Sequence, residues 1–137
     1  MISKKLHLGF LIPEFPQQTH IAWWRVANEM RNLDYNVHLI STKRPDTALR
    51  VHDQLNSEIE GVLYLWPPGA NIIPMLLSDP SKLFTGISYL CKLEDSTFRE
   101  KFFLAPLIFA AMTLSRYCKE NAIEKVFVHS CANSAHI

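Results

Sequence analysis

Residues 6–45 read LHLGFLIPEFPQQTHIAWWRVANEMRNLDYNVHLISTKRP. Leu6–Ile12 is a nearly continuous apolar run closed by Pro13, the pattern of a strand buried on both faces of a parallel sheet. Pro13–Thr19 is a polar, proline-containing loop, and Thr19 stands where it can cap a helix. From His20 to Leu33 the apolar residues Trp23, Val26, Ala27, Met30 and Leu33 recur at helical spacing. Asn32, Asp34 and Asn36 end that helix, and Asn36–Thr42 is a second strand. A strand, a helix and a strand in forty residues are the start of an α/β fold.

The alternation continues outward. Pro45 and Asp46 break the chain before a polar helix over Thr47–Leu55, and Gly61–Trp66 is a third strand stopped by Pro67–Pro68–Gly69. Ser78 or Asp79 followed by Pro80 is a helix start. Asp95 or Ser96 caps a long helical stretch to about Asn121, which Pro106 should kink or split. Lys125–His129 is a fourth strand, and a further helix starts at Ser130. The expected fold is a Rossmann-like parallel sheet with flanking helices, one domain over residues 1–137, cut before its next strand and helix.

The totals fit this. A 137-residue chain with 48% hydrophobic and 20% charged residues can bury a real core. A net charge of +1 excludes the basic excess that a nucleic-acid surface needs. Cys91, Cys118 and Cys131 form no CxxC pair and no even set, which fits a reducing, cytoplasmic compartment. The start MISKKLHLGFLIPEFP lacks a signal-peptide cleavage site, and Phe102–Leu114 is too short an apolar run to span a bilayer.

Ligands of open α/β sheets bind outside the carboxyl ends of the strands. Those ends are Pro13–His20, Ser41–Arg44, Trp66–Asn71 and His129–Asn133. Glu14, Gln17, Gln18, Thr19 and His20 are either a polar pocket floor at a helix N-terminus or a turn that only caps the helix. The loop is not GxGxxG, and no GxxxxGK[ST] occurs, so a dinucleotide fingerprint and a P-loop are both missing. His129 faces a cleft or is a satisfied structural histidine, and Cys131 is a small buried thiol or an acidified nucleophile paired with His129. His7, His38, His52 and His136 do not cluster at metal-ligand spacing, so no metal is expected. Trp23, Trp24, Phe102, Phe103, Leu107, Ile108 and Phe109 are expected mainly in the core, with an exposed remainder against a membrane interface or a partner domain.

Leu8–Pro45 resembles the opening of family-4-type glycosyltransferases of the GT-B fold: a strand, a loop like FPxxTHxF, a helix, and a strand ending in STKRP. The tail KVFVHSCANSAHI resembles that family's later strand and helix, with His129, Ser134 and Ala135 on the pattern; residues 46–120 fit only by element order. The sequence departs from the family in having Gln17–Gln18 for a Gly-Gly loop, Cys131 for a second histidine, and Asp34–Tyr35–Asn36 without glycine. The resemblance implies the first, acceptor-side half of a two-domain enzyme. Its C-terminal nucleotide-sugar domain, with the E-x7-E region, would lie outside this chain.

The implied activity moves a sugar from a nucleotide-sugar to a glycan or lipid-linked acceptor, in polysaccharide biosynthesis, without a metal or other cofactor. Glu14, Gln17, Gln18, Thr19, His20, His129 and Asn133 would line the substrate cleft, and no catalytic residue is assigned. The fragment alone would be inactive, cytoplasmic, and peripheral to the inner membrane through its aromatic surface. The alternative is a free-standing Rossmann- or flavodoxin-like module that binds a ligand or partner without catalysis.

Overall fold

A computed structural model describes residues 5–16, 21–45, 59–66, 79–94 and 96–129. The described residues form, in chain order, β1 (His7–Glu14), α1 (Ile21–Asn32), β2 (Asn36–Lys43), β3 (Leu63–Trp66), α2 (Pro80–Cys91), α3 (Phe98–Leu104), α4 (Pro106–Glu120) and β4 (Lys125–Val128). All pairings are parallel, in the order β3-β2-β1-β4. This is the α/β, Rossmann-like sheet expected from the alternation of apolar runs.

Period-two alternation sorts the strand residues onto two faces. Leu8, Phe10 and Ile12 join Leu39 and pack against Ala27, with Trp23, Trp24 and Met30 of α1 around them. Leu11, Ile40 and Leu65 take the opposite face and pack against Ala110 and Leu114 of α4. Gly9 lies on this second face, where a Cβ would stand 3.3 Å from both Ile40 Cδ1 and Val126 Cγ2. The small residue lets β1, β2 and β4 close up beneath α4.

α2 lies on the outer side of α4, with Gly86 against Ile108, so α2 and α3 form a further layer. α3 starts on a capping box, in which Thr97 Oγ1 accepts from the Glu100 backbone and Glu100 accepts from the Thr97 N–H. α4 begins at Pro106 in its first turn, where the missing N–H leaves no bond unmade.

Several expectations need correction. The helical stretch splits before Pro106, as expected, but Thr97, not Asp95 or Ser96, is its N-cap. The third and fourth strands are shorter than expected, so His129 falls one residue past β4. Val26 and Leu33 are exposed although they share the helical spacing of Ala27, because the sheet covers a narrower stripe of α1. Trp23 and Trp24 both reach the core, each half-buried. Phe102 and Phe103 are 71% and 67% exposed, so they do not belong to the core. The helices expected over Thr47–Leu55 and from Ser130 lie outside the described residues.

β1 also runs past Pro13 to Glu14. Backbone groups of alternate residues in a parallel strand point to opposite neighbours. The carbonyls of His7 and Leu11 accept from Glu124 and His129, on the β4 side, while the Leu6 carbonyl accepts from Asn36, on the β2 side. Pro13 belongs to the β4 set, and the next rung would need its nitrogen as donor. Having no N–H, it stops the β1–β4 ladder at Leu11, while the β1–β2 ladder continues to Glu14 opposite Lys43.

Candidate functional site at the carboxyl ends of the strands

The strand order reverses between β1 and β4: β2 and β3 follow on one side of β1, and β4 lies on the other. In open α/β sheets that switch point is where a crevice forms outside the carboxyl ends. Pro13 ends the rungs between the two strands here. The described residues at this end include Glu14 and Phe15 at the end of β1, Lys43 and Arg44 at the end of β2, and His129 after β4.

The β1 wall is fixed through Phe15, whose side chain is buried in the α1-side core. The Phe15 N–H donates to Ser41 Oγ at 2.9 Å, and Tyr64 O–H donates to the Phe15 carbonyl at 3.1 Å. Ser41 is fully buried and donates in turn to the Lys43 carbonyl at 2.9 Å. The peptide between Phe15 and Pro16 is cis. Three strands therefore hold Phe15, and its backbone N–H and carbonyl are both satisfied although it is buried.

The charged groups at this edge come from β1 and β2. The Glu14 carboxylate pairs with the Lys43 ammonium, its partner in the strand register. Glu14 is mostly sheltered and Lys43 mostly exposed, so the carboxylate is the anchored member. The Arg44 guanidinium lies over the Tyr64 ring, 4.6 Å from its centroid. On the other wall, the His129 N–H donates to the Leu11 carbonyl at 3.0 Å. Its ring rests against Trp23 of α1, with centroids 4.8 Å apart. The Trp24 indole N–H is buried with no hydrogen-bond partner among the described residues.

Of the residues expected to line a cleft, Glu14 and His129 are thus placed at the same end of the sheet, Glu14 ending β1 and His129 directly following β4. Gln17, Gln18, Thr19, His20 and Asn133 lie outside the described residues, as does Cys131. Sequence reasoning missed Phe15, Ser41 and Tyr64. Phe15 reads as part of a polar loop, and nothing local marks Ser41 as its partner 26 residues on.

A second cluster lies at the opposite, amino end. His7 Nδ1 and His38 Nε2 are 3.1 Å apart, and the remaining ring nitrogens meet Asn36 Nδ2 at 3.0 Å and Tyr117 O–H at 3.3 Å. Burial holds His38 below its ordinary value of 6.5, with His7 and Arg31 adding to the effect, and burial raises Tyr117. Sequence spacing sets these histidines 31 residues apart, but adjacent strands bring them together. Among the described residues no group of three or more His, Cys, Asp or Glu side chains could hold a metal. Nor is any described helix long and apolar enough to cross a membrane.

No protein-family model matches this chain, and no curated protein or solved structure matches it.

Proposed function

We propose that this chain is the acceptor-side domain of a GT-B-type glycosyltransferase, which moves a sugar from a nucleotide-sugar to a glycan or lipid-linked acceptor in polysaccharide assembly. The observation that carries the reading is the position of Glu14 and His129 at the carboxyl ends of β1 and β4, the two strands that flank the switch point, where ligands of open α/β sheets bind. Those two residues stand on the two segments that resemble the family. The Glu14–Lys43 pair and the His129 imidazole offer hydrogen-bond acceptors and donors to sugar hydroxyls. All four β4 residues are exposed. That is unusual in a parallel sheet, whose faces are normally covered, and it suits a body that continues with further strands and a second domain.

On this reading the protein works in the cytoplasm, peripheral to the inner membrane. Phe98, Phe102 and Phe103 of α3, flanked by Arg99 and Lys101, supply the aromatic and basic groups that favour a bilayer interface.

The alternative is a binding module without catalysis. It is favoured by one observation: at this end Glu14 is already neutralised by Lys43.

Sequencing the gene beyond the Ile137 codon separates the two readings. An open frame encoding a second α/β domain would lead to an assay of the full-length protein with labelled nucleotide-sugars. His129→Ala is then expected to lower transfer at least tenfold while leaving the fold intact. A stop codon directly after Ile137, or transfer indifferent to both Glu14→Gln and His129→Ala, overturns the proposal.

A further inference from the structure

A cavity of about 550 Å3 lies between α2 and α4, away from the crevice. That is within the size range of small-molecule sites. Gly86 and Leu90 of α2, Leu104 of α3, and Leu107, Ile108 and Ala111 of α4 line it. At Gly86 a Cβ would stand 2.9 Å from Ile108 Cγ2, so the glycine sets how closely the two helices approach.

Polar groups gather around Lys82 and Ser115. Lys82 Nζ donates to Ser115 Oγ at 2.9 Å and lies 3.3 Å from the Asp79 carboxylate. An ammonium carries three protons, and these contacts use two. The remaining lining is dominated by Leu, Ile, Ala and Met side chains, with the Tyr89 ring among them.

We propose that this cavity binds a single-chain amphiphile: an alkyl chain against Leu104, Leu107 and Ile108, and an anionic head at Lys82. The match is one of charge and polarity together. An apolar wall takes up the chain, and the Lys82 ammonium, whose contacts with the described residues leave one proton over, meets the head. Desolvated chain methylenes contribute most of the affinity, and the charge-assisted hydrogen bond selects the head. The inference does not rest on sugar transfer.

Displacement of dansyl-undecanoate fluorescence from the 137-residue chain tests it. Dodecanoate and dodecyl phosphate should both displace the probe saturably, and their relative strength tells a carboxylate from a phosphate source. Dodecanol should bind about tenfold more weakly, the value of one hydrogen bond to a charge. Lys82→Met should abolish that preference, and Ala111→Phe should block all three compounds.

Methyl NMR of the unmodified protein makes the result independent of whether Ala111→Phe folds. Dodecanoate should shift Leu104, Leu107 and Ile108 saturably. No saturable displacement, equal binding of dodecanol and dodecanoate, or no saturable shift of the Leu104, Leu107 and Ile108 methyls would each overturn the proposal.

Discussion

Ala122 holds φ at 52°, in the left-handed region that side chains disfavour. It follows α4, where the Ile123 N–H donates to the Cys118 carbonyl at 2.9 Å, the bond that closes a helix with a left-handed residue before it. Asp34 does the same after α1 with φ 70°, while Tyr35 N–H bonds the Met30 carbonyl. Aspartate tolerates this conformation and pairs there with Lys5. Alanine has no such compensation. Ala122→Gly should therefore stabilise the chain by about 1 kcal/mol, read as a higher urea midpoint with unchanged slope. Both helix ends were visible in the sequence as breaks. Which residue takes the left-handed place was not, because neither turn contains the glycine that usually marks it.

The elements were legible in proportion to how locally their signals arise. β1, α1 and β2 follow from apolar spacing and polar stops within residues 6–45. The division of α3 from α4 follows from Pro106. The contacts that join elements were not legible, since they depend on strand order. The His7–His38 pair is the clearest example, uniting β1 with β2 and, through Tyr117, with α4. It also makes the joint sensitive to acid. His38 has a folded-state value below 6.5, so the unfolded chain takes up its proton first as pH falls. The stability it contributes is complete above about pH 6.5 and is lost as pH falls through the lowered folded value. Urea midpoints should decrease between about pH 8 and about pH 5, and His38→Gln should flatten that slope. The lowered carboxyls of Asp79 and Glu100 act in a more acidic range and leave this window clear.

At the scale of the molecule, the parallel sheet could be read from the order of apolar runs, but its covering could not. Composition gives how much apolar surface exists, not which part is left bare. The Phe residues of α3 follow a capping box and share a helix with Arg99 and Lys101, so local pattern alone places them equally well in a core. Their exposure follows from α3 being an outer layer, beyond α4. If that surface meets a bilayer, the chain should sediment with phospholipid vesicles. Replacing Phe98, Phe102 and Phe103 together by Ser should weaken this at least tenfold with no loss of secondary structure. Sedimentation unaffected by the triple substitution would assign the membrane contact elsewhere.

Pro13 separates the shape of the crevice from its chemistry. The rungs between β1 and β4 end because the Pro13 nitrogen carries no proton, and no side chain takes part in that. Glu14, Lys43 and His129 can thus change in relatives of this chain without restoring those rungs. If this end binds the acceptor, ligand preference can drift over evolutionary time while the place of binding stays fixed.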